Sequence, residues 1–216
     1  MSERVAVLGS GRMGDALVAE LAPHHTVLWG SRDPERIAAR AAELGATPVD
    51  HEAALAADIV FLALWHRDEV PFVSRHRAAL AGKIVVSMAN PYNADYTGFT
   101  TSPDTSAAEV LAAAVPEATV VGAFKNTFWG VFERPEFPEG LSDVLVTGDD
   151  QDAKDRVMAA LAPMPFRFLD AGPLDRNRTV ERMTLLAREL STRYGHHPHV
   201  SWRLLGQATP EPTVAS

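Results

Sequence analysis

The stretch Val5-Ala-Val-Leu-Gly-Ser-Gly-Arg-Met-Gly14 decides the fold class of this chain of 216 residues. Its first four residues predict a buried strand, and Met13 to Leu21 predicts a helix. Between them, Gly9, Gly11 and Gly14 form the pattern G-x-G-x-x-G, which in a strand–turn–helix context is typical of a dinucleotide-binding loop. A glycine-rich turn without a ligand is the alternative interpretation. The predicted cofactor-binding residues of this loop are Gly9, Ser10, Gly11, Arg12, Met13 and Gly14.

Beyond this unit, apolar runs alternate with Ala-rich amphipathic stretches along the chain. This alternation predicts an α/β fold of Rossmann type, with a mostly parallel sheet and a small C-terminal helical part. Further strands are predicted at 26–29, 47–49, 58–64, 83–88, 119–124, 143–147 and 166–170. Further helices are predicted at 34–44, 52–57, 69–80, 105–114, 151–161 and 174–194. The loop 90–103 is long for a structureless connection, which favours a functional role, and residues 126–140 fit no element.

We expect three parts in the chain. Residues 1–122 would form the dinucleotide-binding domain, residues 123–206 would complete the substrate pocket and a dimer contact, and residues 207–216 would be a flexible tail.

Composition restricts the chemistry and the partners. The chain has no cysteine, which excludes a disulfide framework and a cysteine nucleophile. Its net charge of −8 disfavours nucleic acid as a partner. No apolar run approaches the length of about 18 residues that a membrane span needs, and the first strand leaves no room for a signal peptide. These features predict a cytoplasmic protein without a membrane segment.

The choice between NAD and NADP is made at the end of the second strand. An NAD enzyme usually has an acidic residue there, which binds the ribose 2′-hydroxyl. This chain has Ser31 and Arg32 instead, and Arg36 follows one helical turn later. A guanidinium binds phosphate through charge-assisted hydrogen bonds, so the sequence predicts NADP(H). The alternative is that both arginines are solvated surface charges.

Other strand ends should also line the cofactor crevice, because ligands bind outside the carboxyl ends of parallel strands. Two segments follow such strands, and their candidate residues are Leu64, Trp65 and His66, and Ala89, Asn90 and Pro91. His66 is a candidate proton donor, or else a polar loop residue.

The chain resembles the deazaflavin-dependent NADP reductases, the enzymes that use coenzyme F420. The resemblance spans nearly all of the chain and rests on GSGRMG, WGSRDPER, VLVTGDDQDAKDRVM and DAGPLDRNRTVERMTLL. It implies a Rossmann-type sheet, a small C-terminal part, a homodimer, and hydride exchange between NADP(H) and a deazaflavin. Such a reaction depends on the proximity and orientation of two flat rings.

One segment points to a different chemistry. Lys125 and Asn126 follow a strand end, and they are similar to the Lys and Asn of β-hydroxyacid dehydrogenases. They are the candidate catalytic residues, and Lys125 would supply a proton if the substrate were a small carbonyl or imine. A redox sensor that binds NADP(H) without turnover is a second alternative.

Two further clusters are open to interpretation. Phe128, Trp129 and Phe132 would either wall a flat substrate or belong to the core or a dimer contact. His196, His197 and His199 suit a metal in principle, but we expect a polar turn there and no metal site.

Overall fold

The computed structural model describes residues 3–206. The strands are β1 (Arg4–Leu8), β2 (Thr26–Gly30), β3 (Thr47–Val49), β4 (Ile59–Leu62), β5 (Ile84–Ser87), β6 (Thr119–Gly122), β7 (Glu136–Phe137), β8 (Gly140–Leu141), β9 (Asp143–Gly148) and β10 (Arg167–Asp170). The helices are α1 (Arg12–Leu21), α2 (Pro34–Leu44), α3 (His51–Ala54), α4 (His66–Arg75), α5 (Arg77–Leu80), α6 (Ala107–Ala114), α7 (Trp129–Glu133), α8 (Gln151–Leu161) and α9 (Asn177–Arg193). A 3-10 turn, Leu174–Arg176, precedes α9.

One sheet organises the molecule, in the order β10-β9-β6-β5-β4-β1-β2-β3. The strands from β6 to β3 pair in parallel, whereas β9 pairs antiparallel to β6 and β10 runs parallel to β9. The parallel part has the Rossmann strand order, and the predicted fold class is confirmed. The order reverses between β1 and β4, which is the position where such sheets bind their ligands.

Alternate residues of β1 pack into two different cores. Val5 and Val7 belong to one hydrophobic cluster, and Ala6 and Leu8 belong to another. All four are fully buried. Because successive side chains of a strand point to opposite faces, a strand covered on both sides needs a continuous apolar run. This burial explains why the sequence shows no polar alternation at its start.

Local capping residues explain where helices α2 and α6 begin. Helix α2 begins and ends where predicted, because the Asp33 side chain caps its N-terminus and Gly45 follows it in the left-handed conformation. The predicted start of α6 at Thr105 was two residues early, because Ser106 is the residue that caps it: its hydroxyl accepts a hydrogen bond from the Glu109 amide.

Two predicted long helices are shorter than expected. The predicted helix 69–80 is two helices that meet at His76, and the first already begins at His66 because the Asp68 and Glu69 amides bond the Trp65 carbonyl. The predicted helix 174–194 starts as the 3-10 turn and becomes α-helical only at Asn177.

The C-terminal motifs of the family resemblance hold one another in place. In the GDD segment, Asp149 accepts a hydrogen bond from the Leu174 amide at 2.9 Å, and Asp150 caps α8. In the DAGPL segment, Asp170 accepts from the Lys154 ammonium at 2.8 Å and from the Gly172 amide at 2.8 Å. These motifs therefore hold the ends of β9 and β10 against the 3-10 turn and α8.

The three predicted parts have different outcomes. Strands β9 and β10, which lie beyond residue 122, join the same sheet as the N-terminal strands, and the division at that residue stays a prediction. The predicted flexible tail, residues 207–216, lies outside the described residues. In the part that is described, no helix has the length and apolar character needed to cross a membrane.

Candidate active site

The glycine loop between β1 and α1 has the shape that the sequence pattern predicts. Gly9 has a φ of +120°, and a Cβ there would overlap the carbonyl oxygen of Ala63. A Cβ at Gly14 would overlap the Gly9 carbonyl, whereas a Cβ at Gly11 would meet no atom within 4 Å. Gly9 and Gly14 are thus required by packing, and Gly11 leaves open space in front of the loop. This cradle fits the pyrophosphate of a dinucleotide.

The loop is held by a hydrogen bond from β2, and it is open where α1 begins. The buried indole of Trp29, on β2, donates a 2.9 Å hydrogen bond to the Gly9 carbonyl. Gly11 is the N-cap of α1 and offers no side chain to its first turn. The amides of that turn, at the positive end of the helix, remain available to an anion.

Two arginines follow the end of β2, and one of them contacts the glycine loop. Arg36 donates a 2.8 Å hydrogen bond from its guanidinium to the Ser10 hydroxyl, so it links α2 to the glycine loop. Arg32 is exposed beside His51, whose pKa is lowered by burial and by the Arg32 charge. Ser31 is buried, and its hydroxyl bonds both the amide and the carbonyl of Asp33. Ser31 therefore orders the turn, and the arginines carry the positive charge.

The segments after β4 and β5 reach the same edge of the sheet. Trp65 is 59% exposed, and the Arg67 guanidinium lies 5.5 Å from the centre of its ring. After β5, the Asn90 side chain donates a 2.7 Å hydrogen bond to the Lys125 carbonyl. The other side-chain atom of Asn90, Oδ1, is buried and has no hydrogen-bond partner within residues 3–206. Leu64 and Ala89 are half-buried, and Pro91 is buried.

Lys125 lies inside the protein at the carboxyl end of β6. Its ammonium donates to the Ser87 hydroxyl at 2.9 Å and to the Ala89 carbonyl, and it forms an ion pair with Glu181 at 3.2 Å. Both partners of the ion pair are fully buried. Its carbonyl accepts from Asn90 and from the Thr184 hydroxyl. Lys125 thus joins β5, β6 and α9.

The polar contacts extend to both sides of Lys125. On one side, Glu181 accepts hydrogen bonds from the Ala107 and Ala108 amides at the N-terminus of α6. On the other side, Glu69 is fully buried and lies 3.5 Å from the Ser87 hydroxyl and 3.4 Å from His66 Nδ1. A buried polar chain therefore runs from His66 at the crevice to α6.

Asn126, the second candidate catalytic residue, is fully buried and faces β9. Its amide donates to the Asp143 carbonyl at 2.7 Å, and its side-chain oxygen accepts from the Leu145 amide at 3.2 Å. Both ends of the side chain are used to hold the edge of β9.

The aromatic segment after β6 divides between the core and the crevice. Phe128 and Phe132 are buried members of a hydrophobic cluster. Trp129 lies over the Arg12 guanidinium, 4.2 Å from the ring centre. Arg12 belongs to the glycine loop, so Trp129 packs directly against this loop, a contact that the sequence did not predict. Phe124, at the start of this segment, has a φ of +58°, which is strained for a bulky residue.

The histidines near the end of α9 make contacts within the protein. The Arg134 guanidinium bonds His199 at 2.8 Å, and the His199 ring stacks on Phe137 with centres 4.4 Å apart. Among the described residues, no group of His, Cys, Asp or Glu side chains is arranged to hold a metal.

Comparison with known proteins identifies the family. A family model described as NADP oxidoreductase, coenzyme F420-dependent, matches residues 4–91. The F420-dependent NADP reductase of Methanocaldococcus jannaschii is 30% identical over 210 residues, which cover 88% of this chain and 93% of that protein. The chain belongs to the F420-dependent NADP reductase family. The predicted family and the predicted enzyme class, an NADP-dependent oxidoreductase, are confirmed.

The chain is also similar to two other proteins. A crystal structure of an F420-dependent NADP reductase homologue from Arthrobacter sp. FB24 has a TM-score of 0.78 at 25% identity, and the match covers 90% of this chain and 96% of that chain. The metalloreductase STEAP3 of Rattus norvegicus is 32% identical over 184 residues, or 84% of this chain. That match covers 36% of the rat protein, so this chain corresponds to about a third of it.

Proposed function

We propose that this chain catalyses hydride transfer between NADP(H) and a deazaflavin coenzyme. The observation that carries the proposal is the pairing of Arg36 with Ser10, which places a cation beside an open Gly11 cradle. A phosphate loop with an adjacent arginine suits a dinucleotide that bears a 2′-phosphate. The family to which the chain belongs supports the same cofactor and acceptor.

The chain's own residues divide the work of holding NADP(H). The loop Gly9–Gly14 and the first turn of α1 would bind the pyrophosphate. Arg32, Arg36 and Ser10 would bind the 2′-phosphate, and Ser31 would keep their turn in place. Further along, the unpartnered Oδ1 of Asn90 would accept a hydrogen bond from the carboxamide of the nicotinamide. Leu64, Trp65, His66, Ala89 and Pro91 would wall the rest of the crevice.

Hydride transfer between two rings requires alignment and the exclusion of water more than it requires an acid. When both coenzymes are bound, their rings would supply the hydride chemistry, with the hydride passing between the nicotinamide and the deazaflavin. We propose that Lys125 and Asn126 serve this reaction as positioning residues. Lys125 fixes the segment that carries Asn90, and Asn126 fixes β9 behind it.

The buried position of Lys125 bears on the alternative substrate. To protonate a carbonyl or imine product, its ammonium would have to leave Ser87, Ala89 and Glu181. Leaving a buried carboxylate without its cation costs several kcal/mol, about 3–5 by analogy with broken buried pairs. The geometry therefore favours the deazaflavin as acceptor.

A direct assay tests the proposed function. NADPH-loaded protein is mixed with oxidised deazaflavin coenzyme, and NADPH absorbance is followed with a panel of ketones and cyclic imines in parallel. We expect rapid oxidation of NADPH with the deazaflavin and no oxidation with the ketones or imines. Turnover of a ketone or imine with no deazaflavin reduction would contradict the proposal, and binding of NADPH without any oxidation would favour a sensor.

We also propose that two copies of the chain associate and that the enzyme works in the cytoplasm. Leu186, Leu204 and Leu205 are exposed apolar side chains in the C-terminal part, and they support a contact between copies. Light scattering coupled to size-exclusion chromatography would give a mass near twice 23.4 kDa for a dimer. A mass of one chain at all concentrations would rule out the homodimer.

A further inference from the structure

Arg188 differs from the other arginines of α9 in its contacts. Arg178 pairs with Glu109, Arg193 pairs with Glu189, and Arg182 donates to backbone carbonyls. For the Arg188 guanidinium, the structure of residues 3–206 gives no hydrogen bond and no carboxylate partner, although the side chain is half-buried. A guanidinium without a counter-charge, in a chain of net charge −8, is a place where an anion would be stabilised.

The surroundings of Arg188 are aromatic. Its guanidinium lies 5.0 Å from the centre of the Tyr96 ring. Its charge also affects the pKa values of Tyr92 and His197. Burial raises the pKa of the Tyr92 phenol, and the Arg188 charge opposes that rise. Burial lowers the pKa of His197, and the Arg188 charge lowers it further. Tyr96, which contacts the guanidinium, also packs against Tyr92, with ring centres 5.5 Å apart.

Tyr92 supplies a second polar group. Its hydroxyl is buried and has no hydrogen-bond partner among the described residues. Its ring is held against Tyr96 at 5.5 Å and against Phe99 at 5.2 Å between ring centres. A buried hydroxyl without a partner costs free energy, and this cost is removed if a ligand accepts its hydrogen bond.

The position of Arg188 connects it to the crevice. Thr184 lies one helical turn before it on the same face of α9 and bonds the Lys125 carbonyl, to which Asn90 also donates. The loop that follows β5 carries both Asn90 and Tyr92. Arg188 and Tyr92 therefore belong to the two segments, α9 and the loop after β5, that meet at the Lys125 carbonyl.

We infer that Arg188 and Tyr92 form a subsite for an anionic group, a carboxylate or a phosphate, of the hydride acceptor. The inference rests on the proposed function, because it deepens the description of the acceptor. The guanidinium would neutralise the charge, and the Tyr92 hydroxyl would donate one hydrogen bond. Tyr96 would keep the guanidinium oriented through its ring face.

The test compares two acceptors that share a ring. Oxidised coenzyme F420 carries an anionic side chain, whereas 7,8-didemethyl-8-hydroxy-5-deazariboflavin, called 5-deazariboflavin below, has the same ring and a neutral ribityl chain. With the wild type and Arg188→Met, Kd is measured by fluorescence on NADP⁺-loaded protein, without turnover, and KM and kcat are measured with NADPH. Arg193→Met is the matched control, because Arg193 is on the same helix and has its own partner, Glu189.

We expect Arg188→Met to raise Kd and KM for the anionic coenzyme about 10- to 100-fold, the scale of a lost charged hydrogen bond. Affinity for 5-deazariboflavin, affinity for NADPH and kcat should stay within about twofold of the wild type. Tyr92→Phe should raise the same Kd by a smaller factor, about 3- to 10-fold.

Three outcomes would overturn the inference: an unchanged Kd for the anionic coenzyme, an equal loss for both acceptors, or the same loss in Arg193→Met. Failure of the proposed function has a different signature. In that case the wild type would not oxidise NADPH with either deazaflavin, whatever the effect of Arg188→Met on binding.

Discussion

The ammonium of Lys125 and the carboxylate of Glu181 lie 3.2 Å apart, and both side chains are fully buried. Glu181 also accepts the first amides of α6, and Lys125 also binds Ser87 and Ala89. The pair therefore connects the N-terminal sheet to the C-terminal helix directly beside the crevice. A buried ion pair of this kind is costly to break from one side, since a single charge is then left without compensation.

Glu181→Gln is expected to lower the free energy of unfolding by about 3–5 kcal/mol, because the Lys125 charge loses its counter-ion in the interior. Urea denaturation at neutral pH measures the change. The double variant Lys125→Met/Glu181→Leu should lose less free energy of unfolding than the single variants Lys125→Met and Glu181→Leu lose in sum, because no charge is left buried. Arg193→Met, which removes an exposed ion pair of the same helix, is the control. A loss as small as that of the control would show that Glu181 is not needed as the counter-ion of Lys125.

Lys125→Met separates a positioning role from acid catalysis. If Lys125 only holds the Asn90 segment, kcat at saturating NADPH and deazaflavin should fall by less than about tenfold, since no proton is donated by this residue. Loss of a general acid would lower it by about two to four decades. Steady-state kinetics of the folded variant, with circular dichroism to confirm the fold, decides between the two. A fall of several decades without a change in fold would make Lys125 a catalytic acid.

The preference for NADPH over NADH is expected to depend on two arginines. Arg32→Ala and Arg36→Ala should each raise the Kd of NADPH about 10- to 100-fold, because each removes a charge-assisted contact to the 2′-phosphate. The Kd of NADH, which lacks that phosphate, should hardly change and is the internal control. Fluorescence titration of both nucleotides measures the effect. Equal affinities of the wild type for NADPH and NADH would contradict the assignment of these arginines to the 2′-phosphate.

Local sequence patterns predicted the fold and the glycine turn before α1 well, because the residues concerned are neighbours in the chain. Gly9, Gly11 and Gly14 act within one turn, and the ends of α2 follow from Asp33 and Gly45. Ser31 shows the limit of such reasoning: its residue type suited a phosphate, but its hydroxyl is used by Asp33.

The polar chain in the interior could not be predicted in the same way. Glu69, Ser87 and Glu181 come from different elements, and only the packing of α4 and α9 against the sheet brings them to Lys125. In sequence, a Glu or Lys on an amphipathic helix or after a strand looks like a surface residue. The contact of Trp129 with Arg12 was also missed, because it joins two residues that are far apart in the chain.

A matched pair of glycine variants tests the phosphate loop. Gly11→Val places its side chain in open space, so the protein should fold with nearly wild-type stability while NADPH binding is abolished. Gly14→Val places its side chain on the Gly9 carbonyl, so it should be strongly destabilised. Thermal unfolding and NADPH titration of both variants give the comparison. A folded Gly11→Val that binds NADPH as tightly as the wild type would refute the site.

His197 provides a pH-dependent signal of the proposed anion subsite. Burial and then the Arg188 charge lower its pKa from the ordinary 6.5. The folded protein therefore binds this proton less readily than the unfolded chain, and the corresponding stability is present above pH 6.5 and decreases as the pH falls below it.

Arg188→Met removes the cation, so the His197 pKa should rise toward its ordinary value. Binding of the anionic coenzyme next to Arg188 should shift it in the same direction, whereas 5-deazariboflavin should have little effect. Two-dimensional NMR of the histidine ring protons across pH 5–8, with His197→Gln to assign the signal, measures each shift. If the His197 pKa is the same in the wild type and in Arg188→Met, the guanidinium does not lie where the subsite requires it.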